Sequence, residues 1–253
     1  MNNEAQWKPT KYVVRGGRLR ASRDPAQLGV GSRVIADAVA ARYGERLPLH
    51  ARGRLLDLGC GHVPLYAAYR PHVASVTCVD WAHSLHANPF LDQLVDLNGP
   101  LPFADGAYET VILSDVLEHL AEPQPLLGEI ARVLAPGGRL LMNLPFLYRI
   151  HEAPHDYARY TAFALRRFVQ RAGLTTLELQ PLGGSLAVFA DLLGKHLEQA
   201  GAPGRWLAAA LAGAATALLR RGPLARADRA SAEVFPLGYF LVAERPRPRA
   251  ATP

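Results

Sequence analysis

The chain has 253 residues, 49% of them hydrophobic, with 28 Lys and Arg against 22 Asp and Glu, a formal net charge of +6 and only two cysteines. That length suits one large α/β domain with additions; two cysteines exclude a disulfide scaffold and a Cys-rich zinc site, and no run of about 18 to 20 uncharged apolar residues is present to span a bilayer. The positive charge is almost wholly arginine and lacks a concentrated stripe with interleaved aromatics, so it suits anionic substrates or an anionic surface, and no nucleic-acid partner is expected.

The predicted elements run as follows. Residues 1–31 form an N-terminal arm without the apolar core of a signal peptide, which makes the cytoplasm the expected location. Its Trp7 and Tyr12 suit a loosely packed tail. Ser32 is placed to cap a helix whose Val34, Ile35, Ala38 and Val39 share one face, with Gly44 near its end. Strands are expected at 54–58, 75–80, 93–97, 110–114 and 139–144, and Leu126, Leu127, Ile130, Val133 and Leu134 repeat as one buried helix face before the last of these. Thr161 caps a helix through Ala172, stopped by Gly173; strands at 174–179 and 237–243 follow. This alternation predicts an α/β fold with a parallel sheet covered on both faces.

The expected organisation is a core at 32–182, a helical insertion at 183–229, the last strand region at 230–245 and a disordered tail at 246–253. The insertion reads as two helices, 185–199 and 206–221. The second contains WLAAALAGAATALL, apolar nearly all round. Three uses suit it: a core or substrate cap, a homodimer surface, or peripheral contact with the inner membrane surface or a lipid-linked acceptor.

The most informative stretch is LLDLGCGHVPLY at 55–66, an apolar strand that runs into Asp57, Gly59, Cys60 and Gly61. A glycine bend after a first strand lets backbone approach a ligand, and an acid about 20 residues on, here Asp80, binds ribose hydroxyls. A pyrophosphate cofactor would favour G-x-G-x-x-G; here the acid precedes the glycines, and the third glycine of that pattern is missing. D-x-G-x-G resembles motif I of the class I S-adenosylmethionine-dependent methyltransferases, with Val63 where many members of that family have a third glycine. LPFADGAYETVILSDVLEHLAEPQPLLGEIARVLAPGGRLLMNLP, at 101–145, is similar to the type 11 group of that family.

The resemblance implies a Rossmann-like seven-stranded sheet, mostly parallel with an antiparallel last strand, and S-adenosylmethionine as cofactor. It implies that Asp57 helps hold the methionine amino group, that Asp80 and Trp81 meet the ribose, and that Asp96 and Leu97 meet the adenine. Cys60, Ser114, Asp115 and His119 complete the cleft. The resemblance also makes the arm, with Trp7 and Tyr12, a lid over the cofactor. Simpler roles stay open: Asp80 as a turn cap, Asp96 as a strand end, His119 as a brace for a helix start.

Methyl transfer to an alcohol needs alignment, exclusion of water and removal of a proton. The groups for this lie in PFLYRIHEAPHDYARYT, at 145–161. His155, oriented by Asp156, is the expected general base, with His151 second; Asp156, Arg159 and Tyr160 serve equally as a network that anchors the loop. His151 to His155 also spells H-E-x-x-H, but Pro154 opposes the continuous helix that zinc binding would need, so no metal is expected. The loop resembles that of type 11 proteins that accompany glycan or envelope biosynthesis, which makes a saccharide or glycan intermediate the expected acceptor. A lipid, quinone or other small metabolite is the alternative, and a cofactor-binding regulatory or scaffold module without turnover is the non-enzyme one.

Overall fold

Successive side chains of the first core strand are buried in opposite directions: Leu55 joins one hydrophobic layer, Leu56 and Leu58 the other. A strand buried on both faces reads as a continuous apolar run and belongs in the middle of a parallel sheet. The computed structural model describes residues 1–82 and 88–248. Residues 249–253, part of the tail expected to be disordered, lie outside the described residues.

In chain order the elements are β1 (Tyr12–Arg15), β2 (Arg18–Ala21), α1 (Arg33–His50), β3 (Arg54–Leu58), α2 (Tyr66–Tyr69), β4 (Ser75–Asp80), β5 (Gln93–Leu94), β6 (Tyr108–Ser114), α3 (Pro123–Val133), β7 (Leu134–Pro145), α4 (Ala162–Arg171), β8 (Thr175–Leu182), α5 (Ser185–Glu198), α6 (Gly201–Leu218), α7 (Pro223–Ser231) and β9 (Gly238–Glu244). Seven strands form one sheet in the order β5-β4-β3-β6-β7-β9-β8. β9 runs antiparallel to both of its neighbours, and the other pairs are parallel. The expected Rossmann-like seven-stranded sheet, with an antiparallel last strand and helices inserted before it, is therefore what the chain forms. One face packs on α1 and the helices after β8, the other on α3 and α4.

Several local expectations are corrected. α1 passes through Gly44 to His50, because the missing side chain at Gly44 admits Leu19 of β2: a Cβ there would lie 3.3 Å from Leu19 Cβ. Ser32 holds the N-cap position of α1 without capping it, and its hydroxyl lies 3.4 Å from that of Tyr148. Thr161 does cap α4, accepting from the Ala164 amide at 3.3 Å. β5 stops at Leu94, three residues earlier than expected, and Asp96 leads into a turn closed on Asn98.

The arm carries a hairpin, β1–β2, turned by Gly16 and Gly17 at φ +57° and +68°. The sequence VVRGGRLR carries that signal, since a Gly-Gly pair between alternating residues favours a two-residue hairpin turn. The segment after β8 contains three helices rather than two. α6 turns Gly204, Ala208, Ala212 and Ala215 inward and leaves Trp206 79% exposed, so it is not apolar all round in its surroundings. Among the described residues no helix is long and apolar enough to cross a membrane.

Candidate active site

Parallel strands deliver their carboxyl ends to one edge of the sheet, and ligands of such folds gather there. The bend that follows β3 is shaped by backbone geometry. Gly59 adopts φ +66°, and a Cβ on it would meet Val116 Cγ2 at 2.5 Å, so only glycine lets the bend pack under the end of β6. Gly61 adopts φ +48° with nothing within 4 Å of an added Cβ: the space above it is open. Val63 also has a positive φ, +51°, with its side chain fully buried; the position that a third glycine would fill keeps the glycine conformation and anchors it with an apolar side chain.

Asp80, at the end of β4, accepts from the Gly61 amide at 2.8 Å and from the Trp81 amide at 2.7 Å, and so ties the bend to the neighbouring strand. Asp57 is 3% exposed and accepts from the Tyr69 hydroxyl at 3.0 Å. Burial first, then the nearby Asp80 charge, push its carboxyl up to about 7, against the pull of the Tyr69 hydrogen bond.

The bend opens on a cavity of about 500 Å³ walled by Asp57, Gly59, Cys60, Gly61, Ser114 and Asp115, and on the other side by Thr10, Lys11, Tyr12 and Gln27 of the arm. The arm is thus a wall of the site and not a loose tail. Trp7 donates to the Val63 carbonyl at 3.2 Å, and Lys11 pairs with Asp115 at 3.0 Å. Asp115 also accepts from Asn143 of β7 at 2.7 Å, while Ser114 bonds the Asn143 side chain at 2.6 Å. Asp80, Trp81, Asp96 and Leu97 are not among the residues walling this cavity: Asp80 supports the bend from behind, the Asp96 carboxylate is exposed and accepts from the Asn98 amide and side chain, and Leu97 is buried.

A second cavity, about 170 Å³, adjoins the first and shares Lys11, Tyr12, Asp115 and Glu152 with it. His119, Tyr148 and His151 form its polar side, and Leu28, Ile35 and Val39 its apolar side. The loop after β7 is placed differently from the expectation in one respect. Asp156 does not orient His155. It accepts from the His151 amide at 2.8 Å, lies 3.3 Å from His151 Nδ1, and is clamped by Arg159, whose guanidinium holds its carboxyl well below the usual range.

His155 instead stands edge-on to Trp81 with ring centroids 5.1 Å apart, and its Nδ1 lies 3.2 Å from the Tyr157 hydroxyl. Its carbonyl accepts from His119 Nδ1 at 2.7 Å. Of the loop's ring side chains, Tyr148 and His151 line the second cavity, and His155 and Tyr157 do not. The 151–155 segment is not helical, so the zinc-protease pattern is not built.

Beneath His119 and His151 lies Glu118, 0% exposed, with neither carboxylate oxygen accepting a hydrogen bond. Burial, then the charge of Asp115, push its carboxyl well above the usual range, while burial and then His119 push His151 down. Sequence reasoning read Glu118 only as part of a helix start. The available signal was a carboxylate between Leu117 and His119 at a strand end, where a solvated acid would have no reason to be buried.

Residues 56–142 match the family model described as a methyltransferase domain, of the type 11 group. The O-methyltransferase rstn1 of Aspergillus nomiae is 30% identical over 139 residues, 50% of this chain and 62% of that protein. The ubiquinone biosynthesis O-methyltransferase of Xanthomonas euvesicatoria pv. vesicatoria is 31% identical over 121 residues, 43% of this chain and 47% of that one. The chain thus spans about half to three fifths of the length of these curated relatives. Similarity of fold extends further: the crystal structure of the [4+2]-cyclase SpnF superposes with a TM-score of 0.56 at 22% identity, covering 95% of this chain and 87% of the other. Sheet order and glycine bend are those of a Rossmann-like fold, and the segment at 56–142 is similar to the methyltransferase domain of the type 11 group. What chemistry runs on such a fold is a property of the site.

Proposed function

We propose that the protein transfers a methyl group from S-adenosylmethionine to an oxygen of a small hydroxyl-bearing acceptor, the cofactor lying in the larger cavity and the acceptor in the smaller. The observation that carries this reading is the contact of the two cavities across Lys11, Tyr12, Asp115 and Glu152. A donor in one and an acceptor in the other would meet there without crossing solvent. The residues present fit the cofactor: about 500 Å³ is the volume of a small-molecule site, the backbone at Gly61 leaves open space, and Asp57 offers a carboxylate for an ammonium group. When bound, the cofactor supplies a sulfonium methyl. Asp80 positions the bend, and the arm shields the cavity from water.

On the acceptor side His151 takes the place assigned to His155, because it and His119 line the smaller cavity. A saccharide or glycan intermediate is the leading acceptor, supported by the resemblance of the 145–161 loop and by the hydroxyl, imidazole and carboxylate groups of Ser32, Tyr148, His119, His151 and Asp115. A quinol or phenol is the second reading, favoured by the apolar side at Leu28, Ile35 and Val39 and by a relative named for ubiquinone biosynthesis. Contact with a membrane, a lipid-linked acceptor or a second copy would use the exposed Phe189, Trp206 and Leu207.

Calorimetry with S-adenosylmethionine tests the larger cavity, and release of S-adenosylhomocysteine on adding sugars or catechols tests turnover. Absence of affinity for either cofactor form refutes the proposal; affinity without release for any acceptor returns the chain to a binding module. The titration of Asp57 adds a sharper expectation. Its carboxyl is protonated below about pH 7, and only the anion attracts an ammonium, so affinity rises from pH 6 to pH 8 and levels off above. Asp57→Asn should weaken binding and flatten that rise.

A further inference from the structure

We propose that Glu118, His119 and His151 bind a divalent first-row cation, such as Mn²⁺, Co²⁺ or Zn²⁺, beside the smaller cavity, where it holds an oxygen of the acceptor. Glu118 Oε1 lies 3.8 Å from His119 Nε2 and 3.7 Å from His151 Nε2, and one ligand atom from each residue falls within 4.8 Å of the others. Metal–ligand bonds of about 2.1 Å place adjacent ligands about 3.0 to 3.4 Å apart, so closure needs a contraction of about half an ångström in the two Glu118 pairs and of up to about 1.8 Å between the imidazoles.

One of the two imidazoles is already set in the required tautomer. His119 Nδ1 faces the His155 carbonyl, which can only accept, so that nitrogen carries the proton and Nε2 presents its lone pair. His151 Nδ1 lies 3.3 Å from the Asp156 carboxylate, itself held by Arg159, without a formed hydrogen bond. A histidine that ligates a metal through one nitrogen characteristically donates the other to a carbonyl or carboxylate; His119 does so, and His151 has a carboxylate beside the corresponding nitrogen.

The independent observation is Glu118 itself. A carboxylate buried completely with both oxygens lacking a hydrogen bond is costly unless a proton or a cation compensates it. The nearest nitrogens, His119 Nε2 and His151 Nε2 at 3.8 and 3.7 Å, stand too far off to hydrogen-bond it; an ion among the three would satisfy all of them. Two nitrogens and one oxygen suit a first-row ion better than calcium or magnesium, which favour all-oxygen sets. His119 and His151 also line the cavity, so the ion's remaining positions face the acceptor.

Ion binding stands apart from the methyltransferase reading; only the role given to the ion rests on it. The test titrates the full chain, without an added histidine tag and dialysed against EDTA, with Co²⁺. The expected result is one ion per chain with visible absorption bands, affinity lowered about a hundredfold or more in His151→Ala and Glu118→Gln, lowered about 10- to 100-fold in Asp156→Asn, and kept within threefold in His155→Ala. No stoichiometric ion, or binding indifferent to both ligand variants, overturns the proposal. Should Glu118→Gln fail to fold, His151→Ala decides alone, since His151 stands on a loop and is partly exposed. Calorimetry with S-adenosylmethionine on the same metal-free protein reads the larger cavity separately, so the two proposals fail independently.

Discussion

His151→Ala should lower methyl transfer by about a hundredfold or more while leaving affinity for S-adenosylmethionine within threefold. The imidazole lines the smaller cavity and not the larger, so its loss touches the acceptor and spares the cofactor. Removal of a positioned proton-transfer group costs about 10² to 10⁴ in rate, and loss of a ligand that holds the acceptor oxygen has a similar scale. Folding should survive, because the loop is pinned by Asp156, Arg159 and the bond of the Tyr157 amide to the Glu118 carbonyl, none of which needs the His151 ring. His155→Ala makes the contrast: its ring stands edge-on to Trp81 and lines neither cavity, so cofactor affinity should stay within threefold and the rate at saturation within tenfold. S-adenosylhomocysteine release at saturating cofactor, with calorimetry, checks both. Equal loss of rate in the two variants would return the catalytic role to His155.

The second large effect is on the bend. Gly59→Ala forces a side chain into φ +66° and drives its Cβ against Val116 Cγ2 at 2.5 Å. The left-handed conformation costs about 1 to 2 kcal/mol and overpacking about 1 to 3 more. A loss of about 2 to 5 kcal/mol lowers the melting temperature by roughly 2 to 4 °C for each kcal/mol in a chain of this size. Since Val116 lies under the bend, relief of the overlap would shift the amides that approach the cofactor, and affinity should fall with stability.

Gly61→Ala separates the two consequences. Its Cβ meets no neighbour, so only conformational strain remains, and the melting temperature should fall by much less than for Gly59→Ala. Affinity should still collapse, because the methyl group fills the space that the ligand needs. Thermal melts and calorimetry on the pair check this; equal destabilisation by both would refute the packing argument.

The contrast between Gly59 and Val63 shows how far motif reading reaches. The D-x-G-x-G spacing announces a bend because glycine is the residue that adopts a positive φ cheaply. Val63 breaks the pattern in composition only: its φ of +51° keeps the glycine conformation, with burial of the side chain as the compensating contact. The strands at 54–58 and 75–80 were legible to the residue because both are buried on two faces and bounded by polar or glycine residues. β5 was not, because two paired residues carry too little periodicity to set an end. Gly44 misled for a related reason: a glycine that stops a helix and one that admits a neighbouring hairpin look the same in one dimension.

By itself, then, the sequence determined the α/β class, the strand and helix order, the glycine bend and the resemblance that goes with it. These rest on contacts between residues a few positions apart, where periods of 2 and 3.6 and backbone preferences operate. Only the tertiary structure decided that Asp156 serves His151 and not His155, that Lys11 of the arm meets Asp115 across 104 positions, and that two imidazoles close over an unpartnered Glu118. Those side chains leave irregular segments, whose directions follow no repeat. Which of them meet is set by strand order and by hydrogen bonds between distant parts of the chain.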